Sequence, residues 1–319
     1  MPGDEPRNLR RTQASATGKV VVITGANSGI GKATAMRYAR GGAHVVMVCL
    51  DEARNAQARR EIEAAAAPGA RVDLHLADLS VLAQTRDLAQ HLLAAHPQIH
   101  VLINNAGLHS SRLVRTAEGH ERCWAVNHLS PFVLMRLLLE RLRQSAPARV
   151  LNVNSEGHRF CGVDLDDLQW SRRRYMGLRS YGQSKTANLL VTAKLAREID
   201  AREVAFVAMH PGRVRTNIGS NNGRLWRALN APLMKRGTGP EVPAEALYYL
   251  GVAPEATELS GLFLDLTRPN KPHRHARYKH NRQLADDIWS CSERQAGLDQ
   301  ATTPATQGPT HTSYPRLVR

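Results

Sequence analysis

Lys19-Val-Val-Val-Ile23, followed at once by Thr24-Gly25-Ala-Asn27-Ser28-Gly29-Ile30-Gly31, is the stretch whose reading decides the fold. A short β-branched run of this kind fills a strand buried on both faces of a parallel sheet. The glycines after it allow a tight turn, and the alanine-rich segment from Gly31 to about Arg40 reads as a helix. Strand, glycine turn and helix in this order open a βαβ unit. Its turn lets the backbone approach a pyrophosphate, and the free N–H groups and positive dipole end of the helix face the negative charge. A glycine-rich turn alone is weak evidence; its place between this strand and this helix gives it weight.

The alternation continues outward from there. His44–Val48 reads as a strand, Asp51–Ala66 as a helix, Val72–Leu76 as a strand and Leu79–Ala95 as a helix. Val101–Asn104 and Arg149–Val153 read as strands on either side of a helix over Ser130–Ser145. After a longer polar loop, a helix runs from about Tyr181 to Ile199, and a strand spans Val204–His210. Short strands alternating with helical patterns predict an α/β fold, a single Rossmann-type doubly wound parallel sheet with helices on both faces. No linker or composition shift interrupts residues 19–298, which read as one domain. Residues 1–18 and 299–319 carry few large apolar side chains and read as disordered polar tails.

Composition narrows the function classes. Of 319 residues 42% are hydrophobic and 22% charged, ordinary for a globular protein that buries an ample core. The cysteines, Cys49, Cys123, Cys161 and Cys291, form no CxxC pair, which argues against a disulfide framework or cysteine zinc site and for a reducing cytosol. No secretory signal and no membrane-length apolar run is visible, so the expectation is a cytoplasmic protein without a membrane span. The formal charge of +15 is concentrated at Arg268, Lys271, Arg274, Arg277, Lys279 and Arg282, and at Arg172–Arg174. No nucleic-acid motif accompanies either cluster, so both read as solvated basic faces; Arg268–Arg282 is alternatively a draw for an anionic substrate or acidic partner. His273, His275 and His280 have no carboxylate or cysteine partners at ligand spacing, and no metal is expected there or elsewhere.

The turn Thr24-Gly25-x-x-x-Gly29-x-Gly31 resembles that of the short-chain dehydrogenase/reductase family, and further motifs agree in order and separation over roughly residues 19–266. Asn104-Asn105-Ala106-Gly107 follows the fourth strand, Asp78 the third, Tyr181-Gly-Gln-Ser-Lys185 matches YxxxK, and Pro211-Gly212 with Thr216 matches the segment flanking a nicotinamide. Ala26–Lys32, Asn127-His-Leu-Ser-Pro-Phe132 and Ile288-Trp-Ser290 resemble the retinol-dehydrogenase-like branch, which includes natural-product ketoreductases. The resemblance implies an NAD(P)-dependent oxidoreductase acting on CH–OH groups. It assigns cofactor contacts to Gly25, Asn27, Ser28, Gly29, Ile30, Gly31, Leu50, Asp78, Leu79, Asn105, Ala106, Gly107, Tyr181, Lys185, Pro211, Gly212 and Thr216. It implies catalytic roles for Asn127, Ser155, Tyr181 and Lys185, with Asn127 holding a water in a proton relay.

Hydride arriving on a carbonyl carbon leaves an alkoxide that needs a proton, and a phenol of pKa about 10 donates well. Lys185 lies one helical turn beyond Tyr181, so its ammonium is expected to favour the phenolate and lower the phenol's pKa. Ser155 ends the fifth strand, where Asn154 replaces the first of two serines usual in the family; it would hydrogen-bond the substrate oxygen. Asp51, 20 residues past Gly31, looks like the ribose-binding acid of NAD users. Aligned to the family, however, the deciding positions are Cys49 and Leu50. Leu50 replaces the arginine of NADP-using relatives, Arg54 or Lys32 being possible substitutes, and Cys49 sets no repelling carboxylate. NADP is expected, with NAD as the alternative.

The segment 213–240 reads as a substrate lid. Leu225, Trp226, Leu229, Leu233 and Met234 either close over a bulky apolar substrate or simply pack on the domain. A bulky hydrophobic ketone, aldehyde or alcohol, polyketide-type or retinoid-like, is the expected small-molecule partner, acted on by a monomer or homodimer. The rival class is a non-catalytic, dinucleotide-sensing regulatory protein.

Overall fold

In the computed structural model, which describes residues 12–50, 52–159, 161–214, 237–267 and 281–299 (52–54 by backbone only), the β-branched runs become strands of one sheet. They are β1 (Val20–Thr24), β2 (His44–Cys49), β3 (Arg71–Leu76), β4 (Val101–Asn104), β5 (Ala148–Val153), β6 (Val204–His210) and β7 (Phe263–Asp265). Their order is β3-β2-β1-β4-β5-β6-β7, and every neighbouring pair is parallel. The helices are α1 (Gly29–Arg40), α2 (Glu52–Ala64), α3 (Leu82–Ala95), α4 (Arg122–Trp124), α5 (Ser130–Gln144), α6 (Gly177–Glu198), α7 (Glu241–Val252) and α8 (Arg282–Ala296).

Alternating strand residues feed two cores. Val22 and Val46 pack with Leu92 of α3, Phe132 and Leu138 of α5, Leu190 of α6 and Ile288 of α8. Val21, Val45 and Met47 pack on the other face with Tyr38 of α1, Ile62 of α2 and Leu250 of α7. Each such buried side chain stabilises the fold by about 1.5–3 kcal/mol, and coverage of both faces is why these strands read as unbroken apolar runs. The strand order reverses between β1 and β4, so their crossovers leave on opposite faces and a crevice opens at the strands' carboxyl ends.

Several boundaries differ from the sequence reading. α3 starts at Leu82, three residues past the expected Leu79, because Asp78 Oδ1 accepts the Ser80 N–H at 2.8 Å and turns the chain first. α6 starts at Gly177, a turn before Tyr181, where Ser180 Oγ donates to the fully buried Glu121 carboxylate at 2.8 Å. α4, α7 and β7 were not foreseen. Within residues 12–18, read as part of a tail, Ala16 is fully buried and Tyr248 Oη donates to Ala14 O at 2.7 Å. Arg173, read as part of a solvated basic face, instead pairs with Asp164 at 2.9 Å and lies 3.8 Å over the Trp170 ring. Among the described residues no helix is long and apolar enough to cross a membrane.

Candidate active site

At the β1/β4 crevice lies a cleft of about 630 Å³. Its lining includes Gly25, Asn27, Ser28, Gly29, Ile30, Leu50, Asp78, Leu79, Asn105, Ala106, Gly107, Ser155, Tyr181, Lys185, Pro211 and Gly212, brought together from the carboxyl ends of six strands and from α6. Gly31 and Asn127 stand behind this wall. Thr216, Asp51, the Arg54 side chain, the apolar residues at 225–234 and the basic residues at 268–279 lie outside the described residues.

The glycine turn is shaped by close approach. Gly25 has φ +67°, and a Cβ on Gly31 would run into the Gly25 carbonyl and come 2.5 Å from Asn105 Nδ2. Asn105 Nδ2 donates to Thr24 O at 2.8 Å, while Thr24 Oγ1 accepts the N–H groups of Asn105 and Ala106, both at 3.0 Å. Thr24 thus locks the two loops that form the cleft's floor, leaving the first N–H groups of α1 facing into it. A narrow backbone-lined cradle at a helix N-terminus fits the diphosphate of a dinucleotide.

On the opposite wall, Tyr181 and Lys185 share one face of α6, with Lys185 Nζ 5.6 Å from the Tyr181 ring centroid. Lys185 is 4% exposed and donates to Val153 O at 3.0 Å. Burial pulls its ammonium down to about 8 and pushes the Tyr181 phenol up to about 12, the hydrogen bond with Ser155 pulling the phenol the other way. The phenol therefore moves opposite to the direction that helical spacing alone implied; loss of water outweighs any help from the lysine. Asn154, at the position where the family's first serine was expected, ties β5 to α6. Its Oδ1 accepts the Ser155 N–H at 2.7 Å and its Nδ2 donates to Lys185 O at 3.1 Å.

Asn127 sits in a π-helical turn, Ala125–Leu129, an irregularity common at functional sites. Its Oδ1 accepts the Leu108 N–H at 2.8 Å, and its Nδ2 donates to Leu108 O at 2.9 Å and Ser184 Oγ at 3.2 Å. Its carbonyl accepts Asn188 Nδ2 at 2.6 Å. The side chain thus clamps the loop after β4 to α6. Lys32 pairs with Glu61 across α1 and α2 and does not line the cleft. Leu50 is 61% exposed at the rim, and burial pushes the neighbouring Cys49 thiol up to about 11.

Sequence reasoning missed Val48, Ala77, Leu108, His109, Arg122, Val126, His210 and Arg213 as lining residues, and Thr24 and Glu121 as organisers. Val48 and Ala77 were within reach, since strand ends precede Cys49 and Asp78. Arg122 was not, because the loop 108–121 has no periodicity to set its direction.

A family model for short-chain dehydrogenases matches residues 19–224. The chain belongs to the short-chain dehydrogenase family. Retinol dehydrogenase 12 of Homo sapiens is 38% identical over 291 residues, covering 90% of this chain and 89% of that protein. Among solved structures, an uncharacterized protein from Mycobacterium Paratuberculosis superposes with TM-score 0.70 at 30% identity, covering 89% of this chain and 95% of that one. A 3-ketoacyl-(acyl-carrier-protein) reductase from Brucella melitensis, complexed with NADH, superposes with TM-score 0.61 at 28% identity, over 79% of this chain and 98% of that one. This short-chain dehydrogenase is an NAD(P)-dependent oxidoreductase of the retinol-dehydrogenase-like branch, acting on CH–OH groups.

Proposed function

We propose that the chain is a cytoplasmic ketoreductase that reduces bulky apolar ketones or aldehydes with NADP(H), using Tyr181 as proton donor. The observation that carries the reading is the convergence of Tyr181, Ser155 and Lys185 in one cleft with the glycine cradle. The bound nicotinamide supplies the hydride. Ser155 donates to the substrate oxygen and orients it toward Tyr181. The phenol, held near 12, is protonated at neutral pH and suits the reductive direction. As its proton leaves, the Lys185 ammonium stabilises the phenolate left behind. Asn127 acts as a positioning residue through Leu108 and Ser184.

Exposed apolar side chains on the segments next to the lining residues His109 and Tyr181 support the substrate class. Leu178 is 74%, Met176 47%, Leu113 38% and Val114 38% exposed. The two segments are held side by side by the Tyr175 Oη bond to Ser110 O at 3.3 Å. NADP is preferred because Cys49, whose thiol burial keeps neutral, would set no carboxylate against a 2′-phosphate held there.

The test is oxidation of NADPH and of NADH by the purified chain with all-trans-retinal and an anthracycline ketone, alongside Tyr181→Phe. Turnover preferring NADPH and lowered at least about 100-fold in the variant is expected. Undiminished turnover in Tyr181→Phe would sink the mechanism, and a preference for NADH would sink the cofactor assignment.

A further inference from the structure

Between β2, the edge strand β3 and the end of α3, four titratable side chains meet on one face of the sheet. His44 opens β2, Asp73 and His75 come from the edge strand β3, and His96 ends α3. His44 Nε2 lies 2.6 Å from Asp73 Oδ2. The His96 ring stands edge-on to His44 at 5.2 Å and to His75 at 6.0 Å between centroids. One ligand atom from each of His44, Asp73 and His96 falls within 4.8 Å of the others. His96 is 4% exposed, yet its Nε2 has no hydrogen-bond partner among the described residues. Its backbone is held in place, with the N–H on Leu92 O at 3.0 Å and the carbonyl accepting from Arg141. A buried ring nitrogen, fixed in direction and lacking an acceptor or donor, is rare in native structures.

We propose that His44, Asp73 and His96 form a binding site for a zinc-class divalent ion, with His75 beside it. Two imidazoles and a carboxylate are a donor set that Zn²⁺ takes at about 2.0–2.2 Å, whereas Mg²⁺ and Ca²⁺ require oxygen ligands. Ligand atoms around a tetrahedral ion at those lengths stand about 3.3 Å apart. Closing the present set therefore needs shifts on the order of 1 Å, with the fourth position left to water or His75. The ion would tie the edge strand to β2 and α3. At about 3.3 Å per residue, Asp73, opposite Val46 in the register, stands roughly 7 Å along the sheet from the cleft-lining Val48, and none of the three ligands lines the cleft, so the effect expected is on stability. A second cluster, Glu156, His210 and Asp265, is the weaker candidate because Arg159 already pairs with both carboxylates at 3.2 Å.

The test measures Zn²⁺ binding to the full chain by calorimetry and metal analysis after dialysis. His273→Asn, His275→Asn and His280→Asn serve as background, so that the His-rich segment does not contribute. One equivalent of zinc is expected, raising Tm, with tetrahedral d–d bands on Co²⁺ substitution. His96→Gln and Asp73→Asn, the latter at a half-exposed side chain that leaves the fold intact, are each expected to weaken binding at least 30-fold and to abolish the Tm shift. Zinc retained at the same affinity in both variants, or no stoichiometric zinc in the background chain, would overturn the site.

Discussion

The Lys185 ammonium has lost nearly all its water and gained one carbonyl, Val153 O, in exchange. Its proton affinity is depressed to about 8 from the ordinary 10.5. The unfolded chain therefore binds the extra proton between those values, and stability rises with pH across that window. At pH 7 the folded state carries the full penalty of a buried charge, on the order of 3 kcal/mol before relaxation. Lys185→Met should raise the urea midpoint at pH 7 by the equivalent of about 1–2 kcal/mol while lowering kcat/KM by about 100-fold or more. A less stable or fully active variant contradicts this. The Tyr181–Lys185 pairing was legible in sequence because i,i+4 spacing is local. The direction of the phenol's shift was not, because burial comes from β5, the loop after β4 and the rest of α6 packing around it.

α8 shows how a distant element supports the site. Phe132 of α5 meets Trp289 at 4.9 Å between ring centroids, and Trp124 Nε1 donates to Gln295 Oε1 at 2.8 Å. Within this packing, His128 bridges Asn188 Oδ1 at 3.0 Å and Ser292 Oγ at 2.7 Å, next to the Asn127 clamp. Ile288-Trp-Ser290 marked the segment as a family feature in sequence, but nothing local tied Ser292 to the π-helical turn. Ser292→Ala leaves a fully buried imidazole nitrogen unpaired and should cost about 1–3 kcal/mol in urea unfolding. A cost below about 0.5 kcal/mol would mean that this bridge does not hold α8 to the turn.

Across the described residues of the molecule, burial shifts eight histidines one way. His128 is pulled down to about 4, and His75, His96, His100, His109, His120, His158 and His210 also lie below their ordinary 6.5, each chiefly through burial. Between the folded values and 6.5 the unfolded chain binds more protons, so stability is complete above 6.5 and is lost as pH falls. His128 alone accounts for a loss on the order of 3 kcal/mol by pH 4. Urea midpoints should fall steeply from pH 6.5 to 4, and less steeply in His128→Gln; a flat profile contradicts the prediction.

The sequence by itself determined the alternation of the main strands and helices through β6, the glycine cradle and the spacing that puts Tyr181 and Lys185 on one face of a helix. Each is written in a local pattern: a β-branched run, a turn that only glycine fits, a one-turn helical spacing. It did not reach α7 and β7, nor the start of α6, where contact with Glu121 extends the helix backward. The tertiary structure alone decided which side chains from distant segments meet. Strand order sets β3 beside β2, so that Asp73, two residues past His44's partner Arg71, reaches the His44 ring, and the end of α3 brings His96 against it. Sequence periodicity tells which face a residue takes on its own element; which faces meet depends on crossovers that no local spacing encodes.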